Sequence, residues 1–92
     1  MRIIGEIPHA NLKITLFKNE NKYSVKFENS DFEQTFKMRG ALDIAGLEDM
    51  QRLIDKPFIA EIEKLFAEQM NIQQRAIRRY LPSPESELPE II

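Results

Sequence analysis

The chain has no cysteine and only three glycines, and its basic residues do not outnumber its acidic ones. Without cysteine no disulfide can form and zinc cannot be held by thiolates. That usage agrees with a reducing compartment, and a cytoplasmic protein is expected. Gly5, Gly40 and Gly46 lie too far apart for a glycine-rich phosphate cradle. No run approaches the ~18 apolar residues of a membrane span, and the opening Met1-Arg2-Ile3-Ile4-Gly5-Glu6 lacks the apolar stretch of a signal peptide. No membrane partner is expected. With 13 basic and 15 acidic residues the net charge is -2, whereas a domain that grips duplex nucleic acid by its phosphates usually carries a basic excess.

What is present is a small chain of 92 residues. A domain of this size buries roughly 60–65% of its unfolded surface, so its stability is modest unless something is added. With disulfides excluded, association with another chain is a common way to bury more apolar surface.

The first part of the sequence alternates with the period of half-buried strands. Strands are expected over 2–8, 12–18, 22–28 and 31–38. Gly5 marks a possible bulge in the first. Leu12, Ile14, Leu16, Tyr23, Val25, Phe27, Phe32, Phe36 and Met38 point inward. Turn residues punctuate the series at Pro8 to Asn11, Asn19 to Asn21 and Asn29-Ser30. This spacing gives an antiparallel meander with one face wet.

Arg39-Gly40 breaks the pattern. Leu47, Met50, Leu53 and Ile54 then recur at helical spacing, which predicts a short helix over about 44–54. Asp55 is an N-cap candidate, and Pro57 suits a first helical turn. A long helix follows to about Leu81. Its apolar residues share one arc, acidic residues lead and arginines follow, in keeping with the helix dipole. Phe58, Ile62, Leu65 and Phe66 are core material. Gln69 and Gln73 fall near the centre of the arc, where a buried amide without partners costs about 1–3 kcal/mol.

The fold class is therefore α+β: a four-stranded antiparallel meander, a short helix, and a long C-terminal helix on one sheet face. Residues 1–81 are read as a single domain and 82–92 as a disordered tail rich in proline and acidic residues. A helix of ~25 residues runs ~37 Å, while strands of 6–8 residues run ~20–27 Å. The surplus helix points to a partner, most simply a second copy of this chain, otherwise an unidentified protein. The expected homodimer interface is Gln69, Met70, Gln73, Ala76, Ile77 and Tyr80.

No motif carries catalysis. His9, the single histidine, sits in a turn beside Pro8, Ala10 and Asn11, which are not metal ligands. Ser24, Ser30, Ser83 and Ser86 have no base beside them. Glu6, Glu28, Asp31 and Glu33 interleave with lysines, as in ordinary cross-strand charge pairs. Arg75, Arg78 and Arg79 compensate the helix dipole or dock an acidic segment. No metal and no cofactor are expected. The function expected is a non-catalytic interaction or adaptor protein acting as a homodimer.

An alternative lies on the outer sheet face, where Lys13, Lys22, Lys26 and Lys37 surround Phe17, with Arg2 nearby. Basic residues around an aromatic serve single-stranded nucleic acid, through phosphate contact and base stacking. The element order, a four-stranded meander and then a helix, resembles that of dimeric single-strand-binding folds such as the Whirly family. That resemblance implies a single-stranded nucleic-acid binder using this face, although the acidic residues on the same face oppose it.

Overall fold

A computed structural model of the chain describes residues 1–20, 22–38 and 44–81. The elements are β1 (Arg2–Ile7), β2 (Lys13–Asn19), β3 (Lys22–Glu28), β4 (Glu33–Met38), α1 (Leu47–Leu53) and α2 (Lys56–Tyr80). The strands form one antiparallel sheet in the order β1-β2-β3-β4. The fold is thus α+β, with a short helix and then a long one. The expected break at Arg39-Gly40 and the tail 82–92 lie outside the described residues, as does Asn21.

Each turn has a local cause. The β1–β2 connection is closed by His9, whose Nδ1 accepts the Asn11 backbone N–H at 3.1 Å. Asn19 pairs with Lys22 at the end of the β2–β3 hairpin, and Glu20 in the connection has φ of 59°. That is the left-handed region, which a side chain with a Cβ adopts at a cost. Between β3 and β4 the Asn29 Oδ1 accepts the N–H groups of Asp31 and Phe32, each at 2.8 Å. This Asx turn takes up residues 31 and 32, so β4 starts at Glu33 rather than at Asp31.

Alternation puts Leu12, Ile14, Leu16, Tyr23, Val25 and Phe27 in the core, all buried. Phe27, Phe36 and Phe58 form a triangle of rings. Phe36 meets both others edge-on, with centroids 6.0 and 5.4 Å away, and Phe27 and Phe58 are 5.3 Å apart. These are favourable aromatic geometries, and they tie the first turn of α2 to the inner face of β3 and β4.

The register shifts in β1 between Ile3 and Gly5. Ile4 is the extra residue of a bulge, and an extra residue reverses the alternation on one side of it. Arg2 consequently lies opposite Lys18, and Ile3 opposite Phe17. The expectation that Arg2 joins the outer face is corrected: Ile3 takes that place. Gly5 has a second role. A Cβ built on it would come within 2.9 Å of Leu47 Cδ1, so the missing side chain lets α1 approach β1 closely.

The outer face is not uniformly wet. Thr15 and Ser24 are buried. Both are short side chains of the two central strands. Thr15 lies opposite Glu6 and Lys26, and Ser24 opposite Phe17 and Lys37. Long neighbours cover short ones on a pleated surface.

The short helix is trimmed at its start. Gly46 precedes its first turn and gives no side-chain cap. Asp49 reaches back instead, its Oδ2 accepting the Ala45 N–H at 2.8 Å, while its Oδ1 meets Arg52 at 3.2 Å. Met50 and Ile54 are buried. The long helix starts as the sequence implies: Asp55 Oδ1 accepts the Phe58 N–H at 3.0 Å, and its carbonyl accepts from Ile59. Such a cap contributes about 1 kcal/mol.

Compact units divide inside α2. One is Met1–Ile62 and the other begins at Glu63. Among the described residues no helix is long and apolar enough to cross a membrane.

Candidate functional site

Glutamine, arginine and isoleucine make up most of the second half of α2, all compatible with helix at little cost. No proline or glycine interrupts 63–80, so its side chains keep strict helical phase. Gln69 and Met70 are half-buried, while Gln73, Ala76, Ile77 and Tyr80 are exposed. Tyr80 is 87% exposed, Ile72 51% and Ile77 45%. Leu65 is exposed too, against the expectation that it belongs to the core. Ile62 and Phe66 are buried as expected.

The spacing is more informative than the composition. Ile62, Phe66, Gln69, Gln73, Ala76 and Tyr80 follow one another at intervals of four, three, four, three and four. That is the seven-residue repeat of helices that pair along a seam. Met70 and Ile77, seven apart, flank the line on one side; Leu65 and Ile72, also seven apart, flank it on the other. All six residues of the expected interface thus lie on this line or at its edge. Surface apolar residues scattered singly need no explanation, but a continuous stripe does.

One polar atom on the stripe is anomalous. Gln69 Oε1 is shut off from solvent and, among the described residues, has no hydrogen-bond partner. A buried acceptor without a donor is rare and costs free energy. Two polar groups farther along the helix are engaged elsewhere. Gln74 Nε2 lies 3.7 Å from Met70 Sδ, and Arg75 pairs with Glu68 at 3.2 Å two turns away. From Gln69 to Tyr80 the chain carries Arg75, Arg78 and Arg79 and no acidic residue.

The second candidate is the outer sheet face. Cross-strand partners share a face, so the register sets Lys13, Phe17, Lys22, Lys26 and Lys37 together. Its aromatic is already engaged: the Lys26 ammonium stands 5.7 Å from the Phe17 ring centroid. Lys26 also pairs with Glu28 at 3.6 Å. Glu6, Glu28 and Glu33 lie on the same face, Glu28 and Glu33 directly opposite each other. Basic charge here is largely matched by acidic charge. Ile3, which the bulge brings beside Phe17, adds an exposed apolar residue that alternation alone misses.

Of the carboxylates, Asp31 lies in the β3–β4 turn and Glu6 opposite Thr15. Among the described residues no three histidine or carboxylate side chains gather as a metal site would require.

No protein-family model, no curated protein and no solved structure matches this chain. The likeness in element order to dimeric single-strand-binding folds therefore has no matched structure behind it.

Proposed function

We propose that this protein is a non-catalytic interaction module that acts as a homodimer, joined through the second half of α2. The observation that carries the reading is the seven-residue repeat on an exposed stripe: Gln73, Ala76, Ile77 and Tyr80 all face solvent in the single chain. A twofold axis lets the same stripe cover itself. Ala76 has a small side chain and permits close approach of two helices, while glutamines bond across a seam more readily than they tolerate burial alone. The test is sedimentation equilibrium on the wild type and on Met70→Glu with Ile77→Glu. The variant should sediment as a monomer while circular dichroism shows the sheet intact. A variant that keeps the mass of the wild-type dimer removes the stripe from the interface.

A second reading, a single-stranded nucleic-acid binder, draws support from the shared face of Lys13, Phe17, Lys22, Lys26 and Lys37. Engagement of Phe17 by Lys26, and the three glutamates on that face, weigh against it. It requires the wild type to bind an unstructured oligonucleotide near physiological salt, with affinity falling as salt rises. The homodimer reading expects no such binding.

A further inference from the structure

We infer that the two α2 helices of the dimer run antiparallel, with Gln69 of each copy opposite Tyr80 of the other. The inference rests on the homodimer reading and adds its orientation and register.

Charge selects the orientation. Arg75, Arg78 and Arg79 are the charged residues between Gln69 and Tyr80. A parallel pair would set these three arginines alongside the same three of the second copy, with no carboxylate in that stretch to separate them. Like charges so arranged destabilise the pair. An antiparallel pair in the register argued below carries Arg78 and Arg79 of the two copies to opposite ends of the seam and leaves Arg75 near its centre, paired with Glu68 of its own chain. It also sets the helix dipoles antiparallel.

The repeat and the burial select the register. In an antiparallel pair, residues at the two alternating seam positions face each other. The alignment centred on Asn71 would pack Ala76 and Tyr80 against Phe66 and Ile62 of the second copy, and one centred nearer the start of α2 would likewise use Phe66 and Ile62. Those two are already buried within their own chain and have no surface left to give. The alignment centred between Gln74 and Arg75 uses the more exposed end of the helix. It pairs Gln69 with Tyr80 and Gln73 with Ala76, and brings Met70 and Ile77 of the two copies to the same side of the seam.

That alignment covers Tyr80, which is 87% exposed in the single chain. Its ring lies over the stripe of the second copy beside Gln69, which is half-buried. The twofold axis makes the contact twice. Gln73 faces the small Ala76, which leaves room for its amide to reach solvent at the seam's edge.

The absence of cysteine makes the test clean, because only introduced thiols react. Gln69→Cys and Tyr80→Cys are made as separate chains, and each variant's dimer mass is checked by sedimentation. Each alone and an equimolar mixture are then treated with a bis-maleimide linker spanning ~8 Å, about the separation of facing helix axes. In the antiparallel dimer, equivalent residues at position 80 are offset by eleven residues, ~16 Å along the axis. The mixture should yield a covalent dimer and neither variant alone should. Cross-linking of Tyr80→Cys to itself means a parallel pair and overturns the inference. A dimer that cross-links in no combination overturns the register but leaves the homodimer reading standing. Monomeric wild type overturns both.

Discussion

Phe36 shows how much one side chain decides. Its ring meets Phe27 and Phe58 edge-on, so it joins the sheet to the first turn of α2. Phe36→Ala should destabilise the fold by about 2–4 kcal/mol, through lost burial and the cavity left between the other two rings. Lys26, on the opposite face, spends its charge on a half-buried pair with Glu28 at the surface and on the Phe17 ring. Lys26→Ala should stay within about 0.5 kcal/mol. Denaturant melts that ranked Lys26→Ala as the worse of the two would invert the strand phase argued above. Both positions follow from alternation in the sequence. Arg2 does not, because a one-residue bulge moves it to the other face and a bulge leaves only a glycine as its sign. Thr15 and Ser24 were also illegible: their burial depends on the length of neighbours across two strands, which no single strand displays.

At the scale of elements the β2–β3 hairpin carries a defect that can be repaired. Glu20 is held at φ of 59°, where glycine meets no Cβ penalty. Glu20→Gly should stabilise the protein by about 0.5–1 kcal/mol, the relief of left-handed strain exceeding the entropy glycine adds to the unfolded chain. A lower melting temperature for Glu20→Gly would mean that the Glu20 side chain makes a compensating contact. The α2 start was legible in full, because Asp55 and Pro57 are local signals and the cap bond to Phe58 is local too. The start of α1 was not. Gly46 and the Asp49 bond to the Ala45 N–H together set Leu47 as the first helical residue, and the apolar spacing of 44–54 does not record that competition.

For the molecule as a whole, the order of elements could be read directly, since antiparallel neighbours with short turns leave little topological choice. The candidate site was half legible. Its six residues were visible as an arc, and the glutamines in it as a flaw. The seven-residue repeat that unites them was present in the same letters, but it differs from ordinary helical periodicity by a tenth of a residue per turn. Exposure decides between the two, because an arc that continues a core would be buried, and from Gln73 to Tyr80 this one is not. The change falls after Phe66, the last buried residue of the helix, while Leu65, expected in the core, is exposed.

The homodimer is the centre of the account, and its mass tests it most directly. Sedimentation equilibrium of the unmodified protein at tens of micromolar should return twice the 10.8 kDa of one chain. The same measurement on Met70→Glu with Ile77→Glu should return one chain. A wild-type mass of 10.8 kDa at that concentration would contradict self-association and leave the stripe on α2 to a different protein.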